Sequence, residues 1–94
     1  MTTEKQIRLK SGVILPAGLP VRFYKDRPNA CTVANPDGKA YLVRVKNAFE
    51  VPSINELEDF ASDSVCPSIF GHTVEPNGWD HKGSPSWLLA LGLI

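Results

Sequence analysis

The segment Asn35-Pro36-Asp37-Gly38, set between two β-rich runs, constrains the chain more than any other. Pro36 pre-sets the approach, and Asp-Gly suits turn positions that need positive φ. Residues 30–33 and 41–45 are therefore predicted to fold back on each other as an antiparallel hairpin. With a period of two, Tyr41, Val43 and Val45 share one face of it, and Leu42 and Arg44 share the other.

Similar short segments surround this hairpin. Ile7 and Leu9 alternate with Gln6, Arg8 and Lys10, and Ser11-Gly12 supplies a turn. Val13-Ile14-Leu15 then runs into Pro16-Ala17-Gly18-Leu19-Pro20, where two prolines fix φ and withhold donors, so this stretch is expected as a bend or an edge. Val21 and Phe23 against Arg22 and Tyr24 restart the alternation, and Asp26-Arg27-Pro28-Asn29 ends it.

One helix is signalled after Pro52. Ser53 supplies a cap and Glu56 completes a capping box, while Ile54, Leu57 and Phe60 or Ala61 form one apolar stripe over residues 54–62. From residue 63 to 83 prolines and glycines break up the pattern, leaving a loop with a short strand near residues 72–74. Ser84 as cap, Pro85 at the first helical position and the apolar run from Trp87 predict a short helical tail.

A chain of 94 residues has room for one core, and no linker or repeat divides it, so residues 1–94 are read as one domain. The expected class is mainly β within α+β: a small, partly open SH3-like barrel with one short helix and a C-terminal helical tail. A sheet with helices packed on one face is the alternative. No apolar leader follows Met1 and no run approaches the ~18 residues that span a bilayer, which points to the cytoplasm and away from a membrane partner. Cys31 and Cys66 are expected to stay reduced there.

Reactive chemistry has little to stand on. Cys31, Cys66, His72 and His81, with Asp80 beside the last, are the four soft or borderline metal ligands, and they lack the paired spacing of a zinc knuckle. A Cys66, His72, Asp80 nucleophile triad can be drawn, but spacing alone does not make one. No P-loop, Gly-x-Ser-x-Gly or His-Glu-x-x-His pattern occurs. Neither an enzyme nor a cofactor or metal site is expected.

Charge is partitioned although the net is zero. Residues 1–47 hold nine Lys/Arg against three acidic groups, and residues 48–94 hold one Lys against seven. Either the two halves lie together and cancel, or each presents a face of its own sign. A basic face would use Arg22, Tyr24, Lys25, Arg27, Arg44 and Lys46, interleaved with Phe23 and Tyr41, to hold nucleic acid through phosphate contacts and base stacking. A pI near 6.7 lacks the overall footprint of a dedicated nucleic-acid binder.

The tail is apolar from Trp87 onward except at Gly92, so it must be buried. What the domain leaves uncovered becomes a self-association surface or a docking site, with Trp79 and Trp87 as anchors.

The stretch Glu75-Pro76-Asn77-Gly78-Trp79-Asp80, followed by Gly83-Ser84-Pro85-Ser86-Trp87-Leu88-Leu89-Ala90-Leu91-Gly92, resembles the carboxyl end of small uncharacterised proteins encoded in bacteriophages and prophages. The resemblance covers about a quarter of the chain and transfers no functional residue. It implies a phage accessory protein in a bacterial host cytoplasm, of a kind that often works by binding and blocking a host factor. The leading expectation is thus protein-protein association with a host protein, a defence factor included, through Trp79, His81 and Trp87 with the acidic groups Glu56, Glu58, Asp59 and Asp63. Nucleic-acid binding is the second, and a structural phage protein that forms homo-oligomers through its tail is the third.

Overall fold

The computed structural model describes residues 1–94. Seven strands run in chain order as β1 (Ile7–Arg8), β2 (Ile14–Leu15), β3 (Val21–Tyr24), β4 (Arg27–Ala34), β5 (Ala40–Arg44), β6 (Cys66–Pro67) and β7 (Thr73–Val74). Three helices accompany them: α1 (Val45–Ala48), α2 (Ile54–Ser62) and α3 (Trp87–Ala90). The strands form three separate antiparallel sheets, β1-β2, β3-β4-β5 and β6-β7. The mixed, strand-rich class matches expectation, but no closed barrel is formed.

The β4-β5 hairpin turns where the sequence places it. Ala34 pairs with Ala40, Gly38 donates its amide to the Asn35 carbonyl at 3.0 Å, and the Lys39 amide donates to the Asp37 carboxylate at 2.9 Å. Gly38 has φ +89°, a conformation that costs other residues a steric clash. Val43 and Val45 are buried while Leu42 and Arg44 are exposed, which is the predicted alternation. Val45, expected to end the strand, instead opens the single turn α1.

Strand β4 is longer than the sequence suggests, because Pro28 falls in an irregularity of the ladder. Phe23 pairs with Cys31 and Tyr24 with Arg27, so residues 28–30 have no partner on β3. A proline there withholds no ladder bond.

Helix α2 has the predicted bounds. The Glu56 amide donates to Ser53 Oγ at 3.2 Å, and the Ser53 hydroxyl donates back to the Glu56 carboxylate at 3.2 Å, replacing the backbone leg of an ordinary capping box. The tail helix starts two residues later than predicted. Ser86, not Ser84, is its cap, accepting from the Leu89 amide at 3.1 Å, because the Ser84 hydroxyl is held by Asp80. Strand β7 lies where a short strand is predicted, and its partner β6 is an element the sequence does not signal.

The core joins the inner face of the three-stranded sheet to the two ends of the chain. Ile7, Leu15, Cys31, Val33, Val43, Val45, Phe49, Ile69 and Trp87 belong to one buried cluster. Phe23, Phe49 and Phe70 close it as a ring trio, with centroids 6.1 Å apart for the first two, 6.0 Å for Phe23 and Phe70, and 5.4 Å for Phe49 and Phe70. Such aromatic pairs contribute ~0.5–1.5 kcal/mol beyond the area they bury. Burial raises the Cys31 thiol pKa to about 11, so it behaves as a small core residue rather than a nucleophile.

Candidate functional site

The loop from residue 68 to 86 is organised by one carboxylate. Asp80 is 7% exposed and accepts four hydrogen bonds: from Ser68 Oγ at 2.7 Å, from Ser84 Oγ, and from the backbone amides of Lys82 and Ser84, each at 2.9 Å. Burial pushes its pKa up, but the bonds from Ser84, Ser68 and Lys82 outweigh that and hold it below the ordinary value of 3.8. All its partners are hydroxyls and amides, so Asp80 orients no histidine.

The Cys66, His72, Asp80 triad drawn from the sequence is accordingly not assembled. Cys66 is buried opposite Val74. His72 instead meets His81 edge to face, with ring centroids 4.8 Å apart. The His72 amide donates to Ser68 Oγ, so the hydroxyl that bonds Asp80 also holds the His72 backbone. No three His, Cys, Asp or Glu side chains come together as a metal site.

Two surfaces of opposite sign do form. The first lies beside α2, where Ile54, Leu57, Glu58, Ala61, Leu88 and Leu93 line a groove of ≈ 320 Å³. No residue of this nine-residue helix is fully buried, and Ile54, at the head of the predicted core stripe, is 74% exposed. Only Leu57 and Phe60 pack against the core. Glu56, Glu58, Asp59 and Asp63 are exposed along and just beyond the helix. Because α2 packs chiefly against α3 and β6, these carboxylates stay with the C-terminal elements.

The aromatic anchors proposed from sequence do not join that acidic helix. Trp87 is 5% exposed and part of the core, since the tail is buried through Trp87, Leu88 and Ala90. Trp79 is half-buried and bridges to Pro85, while His81 is exposed at the loop tip. The tail does leave a remainder uncovered, namely Leu93 and Ile94. Ile54 and Leu93 are the surface residues that sequence reasoning missed. The apolar stripe was legible, but which part of it the domain covers was not.

The second surface is the outer face of the three-stranded sheet. Arg22 pairs with Thr32 and Thr32 with Leu42, so these three stand side by side on one face. The Arg22 guanidinium lies 5.5 Å from the centre of the Tyr24 ring, and the Tyr24 hydroxyl hydrogen-bonds Thr32 Oγ1 at 3.1 Å. Arg27 and Arg44 are exposed around Leu42, Lys25 lies in the β3-β4 turn and Lys46 on α1. Phe23 and Tyr41 are not on this face. They pack against the core, which leaves Tyr24 as its aromatic residue.

The structure adds basic groups on and flanking strand β1 that sequence reasoning did not join to the others. A cleft of ≈ 490 Å³ between β1 and β5 is lined by Lys5, Arg8, Lys10 and Arg44 with no carboxylate. The Lys5 amine donates to the Lys46 carbonyl at 3.2 Å, which ties the N-terminal segment to α1.

No helix of the structure is long and apolar enough to cross a membrane. No protein-family model, curated protein or solved structure matches the chain.

Proposed function

We propose that the chain acts by binding another protein through the groove beside α2. The observation that carries this reading is the capped amphipathic helix whose apolar stripe is only half used: Leu57 and Phe60 face the core, and Ile54 stands 74% exposed beside Leu93. An apolar floor under a row of carboxylates suits a partner segment that is apolar on one face and basic around it. The resemblance of the C-terminal segment to phage-encoded proteins extends the proposal to a host bacterial factor, a defence protein included. The three-stranded sheet with its flanking sheets is, in the same proposal, a relative of open SH3-like barrels. Exposure of Leu93 and Ile94 favours a second reading, self-association through the tail.

The test is affinity capture from a bacterial lysate with the native chain and with Ile54→Asp and Glu58→Lys/Asp59→Lys, followed by titration of the captured protein. A partner that binds the native chain in a salt-dependent manner, and at least about tenfold more weakly to both variants, supports the proposal. A complex indifferent to salt and to all three substitutions removes it. Sedimentation of the purified chain addresses the second reading, which requires a defined multimer that Leu93→Asp dissociates.

A further inference from the structure

Three hollows on the outer sheet face share one residue. Leu42, 53% exposed, lies in the cleft with Lys5, Arg8, Lys10 and Arg44, in a second hollow with Arg27 and Arg44, and in a third with Tyr24, Arg27 and Thr32. They form a continuous track from a cleft whose charged groups are all basic, over the exposed Leu42 side chain, to an aromatic ring backed by a guanidinium. Asp26, in the third hollow, is the track's one carboxylate, at the end away from the cleft.

We infer that this track is a binding site for single-stranded nucleic acid, with phosphates held in the β1-β5 cleft by Lys5, Arg8, Lys10 and Arg44 and bases laid against Leu42 and Tyr24. The cleft volume of ≈ 490 Å³ falls within the ~300–1,000 Å³ of ordinary ligand sites. The cations supply backbone attraction without sequence preference. Leu42 and the Tyr24 ring supply an apolar and a π surface, which only unstacked bases can use. A duplex hides those base faces, so it gains the phosphate contacts alone. This surface lies apart from the groove beside α2, and the inference does not depend on the protein-binding proposal.

Fluorescence anisotropy with a labelled oligothymidylate of about 12 nucleotides tests it. Neutralising three or four phosphates, at ~0.7 per phosphate for a single strand, predicts affinity falling about 20- to 50-fold between ~50 and ~200 mM salt. Arg8 and Arg44 are both exposed, so Arg8→Glu/Arg44→Glu is expected to keep the native melting curve. That variant should lose at least about tenfold in affinity at low salt and flatten the salt slope by about 1.4. Tyr24→Ala should weaken binding severalfold at every salt concentration. The inference is overturned if the oligonucleotide does not bind at ~50 mM salt, if the folded double variant binds like the native chain, or if duplex binds as tightly as single strand. Binding to phosphatidylserine vesicles without binding to the oligonucleotide also overturns it.

Discussion

Replacing Asp80 with Ala should test the physical account of the C-terminal half most severely. The substitution leaves two hydroxyls and two backbone amides, from Ser68, Ser84 and Lys82, without their shared acceptor. A hydrogen bond to a charged group contributes ~1.5–3 kcal/mol when removed singly. The four share one carboxylate, so their losses do not add in full, and Asp80→Ala is expected to cost about 3–4 kcal/mol. A chain of 94 residues has about 5–14 kcal/mol in all, so this is a large fraction of it. Urea unfolding followed by the fluorescence of Trp79 and Trp87 reads the change: at a slope of about 1.5 kcal/mol per molar, the midpoint drops by about 2–3 M. Asp80→Asn should cost only about 1–2 kcal/mol, because both hydroxyls can rotate to accept from the new amide.

The same carboxylate predicts a pH dependence. Its folded pKa lies below the ordinary 3.8, so in acid the unfolded chain takes up the proton first. Its contribution is therefore complete above the ordinary carboxylate range and is lost as pH falls through the lowered value. Asp80→Asn should remove that part of the acid sensitivity. An Asp80→Ala chain within about 0.5 kcal/mol of the native one, the ordinary range for an exposed site, would refute the reasoning.

Trp87→Ala should cost about 3–5 kcal/mol, seen as a fall in melting temperature, since this ring is in the core. Gly38→Ala should cost about 1–2 kcal/mol by the same measurement; an added Cβ meets nothing within 4 Å, so the whole penalty is backbone strain at φ +89°. Cys31 should resist a thiol-specific reagent at neutral pH until the chain is unfolded. With its thiol pKa raised from 9.0 to about 11 by burial, its contribution to stability should disappear as pH rises across that interval.

Local chemistry made several elements legible from the sequence. The hairpin at residues 35–38, the bounds of α2 and the alternation of Leu42 with Val43 follow from turn chemistry, capping and period. What failed depended on side-chain contacts that no local pattern of residue types announces. Ser84 is as good a cap as Ser86, and only its bond to Asp80 excludes it. Ile54 reads as core because a stripe does not reveal how much of it a small domain can cover. Trp87 heads an apolar tail that reads first as a buried plug and as an anchor only for what stays uncovered, and packing puts this ring in the core. The basic cleft was half visible: Arg44 stood out among the aromatics, but Arg8 and Lys10 joined it only through the position of β1 beside β5.

The phenylalanine trio bears on how the molecule comes apart. One ring is carried by β3, one by the segment after α1 and one by the turn between β6 and β7, so no third of the chain owns this cluster. Heat or denaturant should then dissolve the protein in a single cooperative step. A fragment ending at residue 50 would keep the hairpin yet leave Phe49 facing water, and should populate no persistent native state of its own.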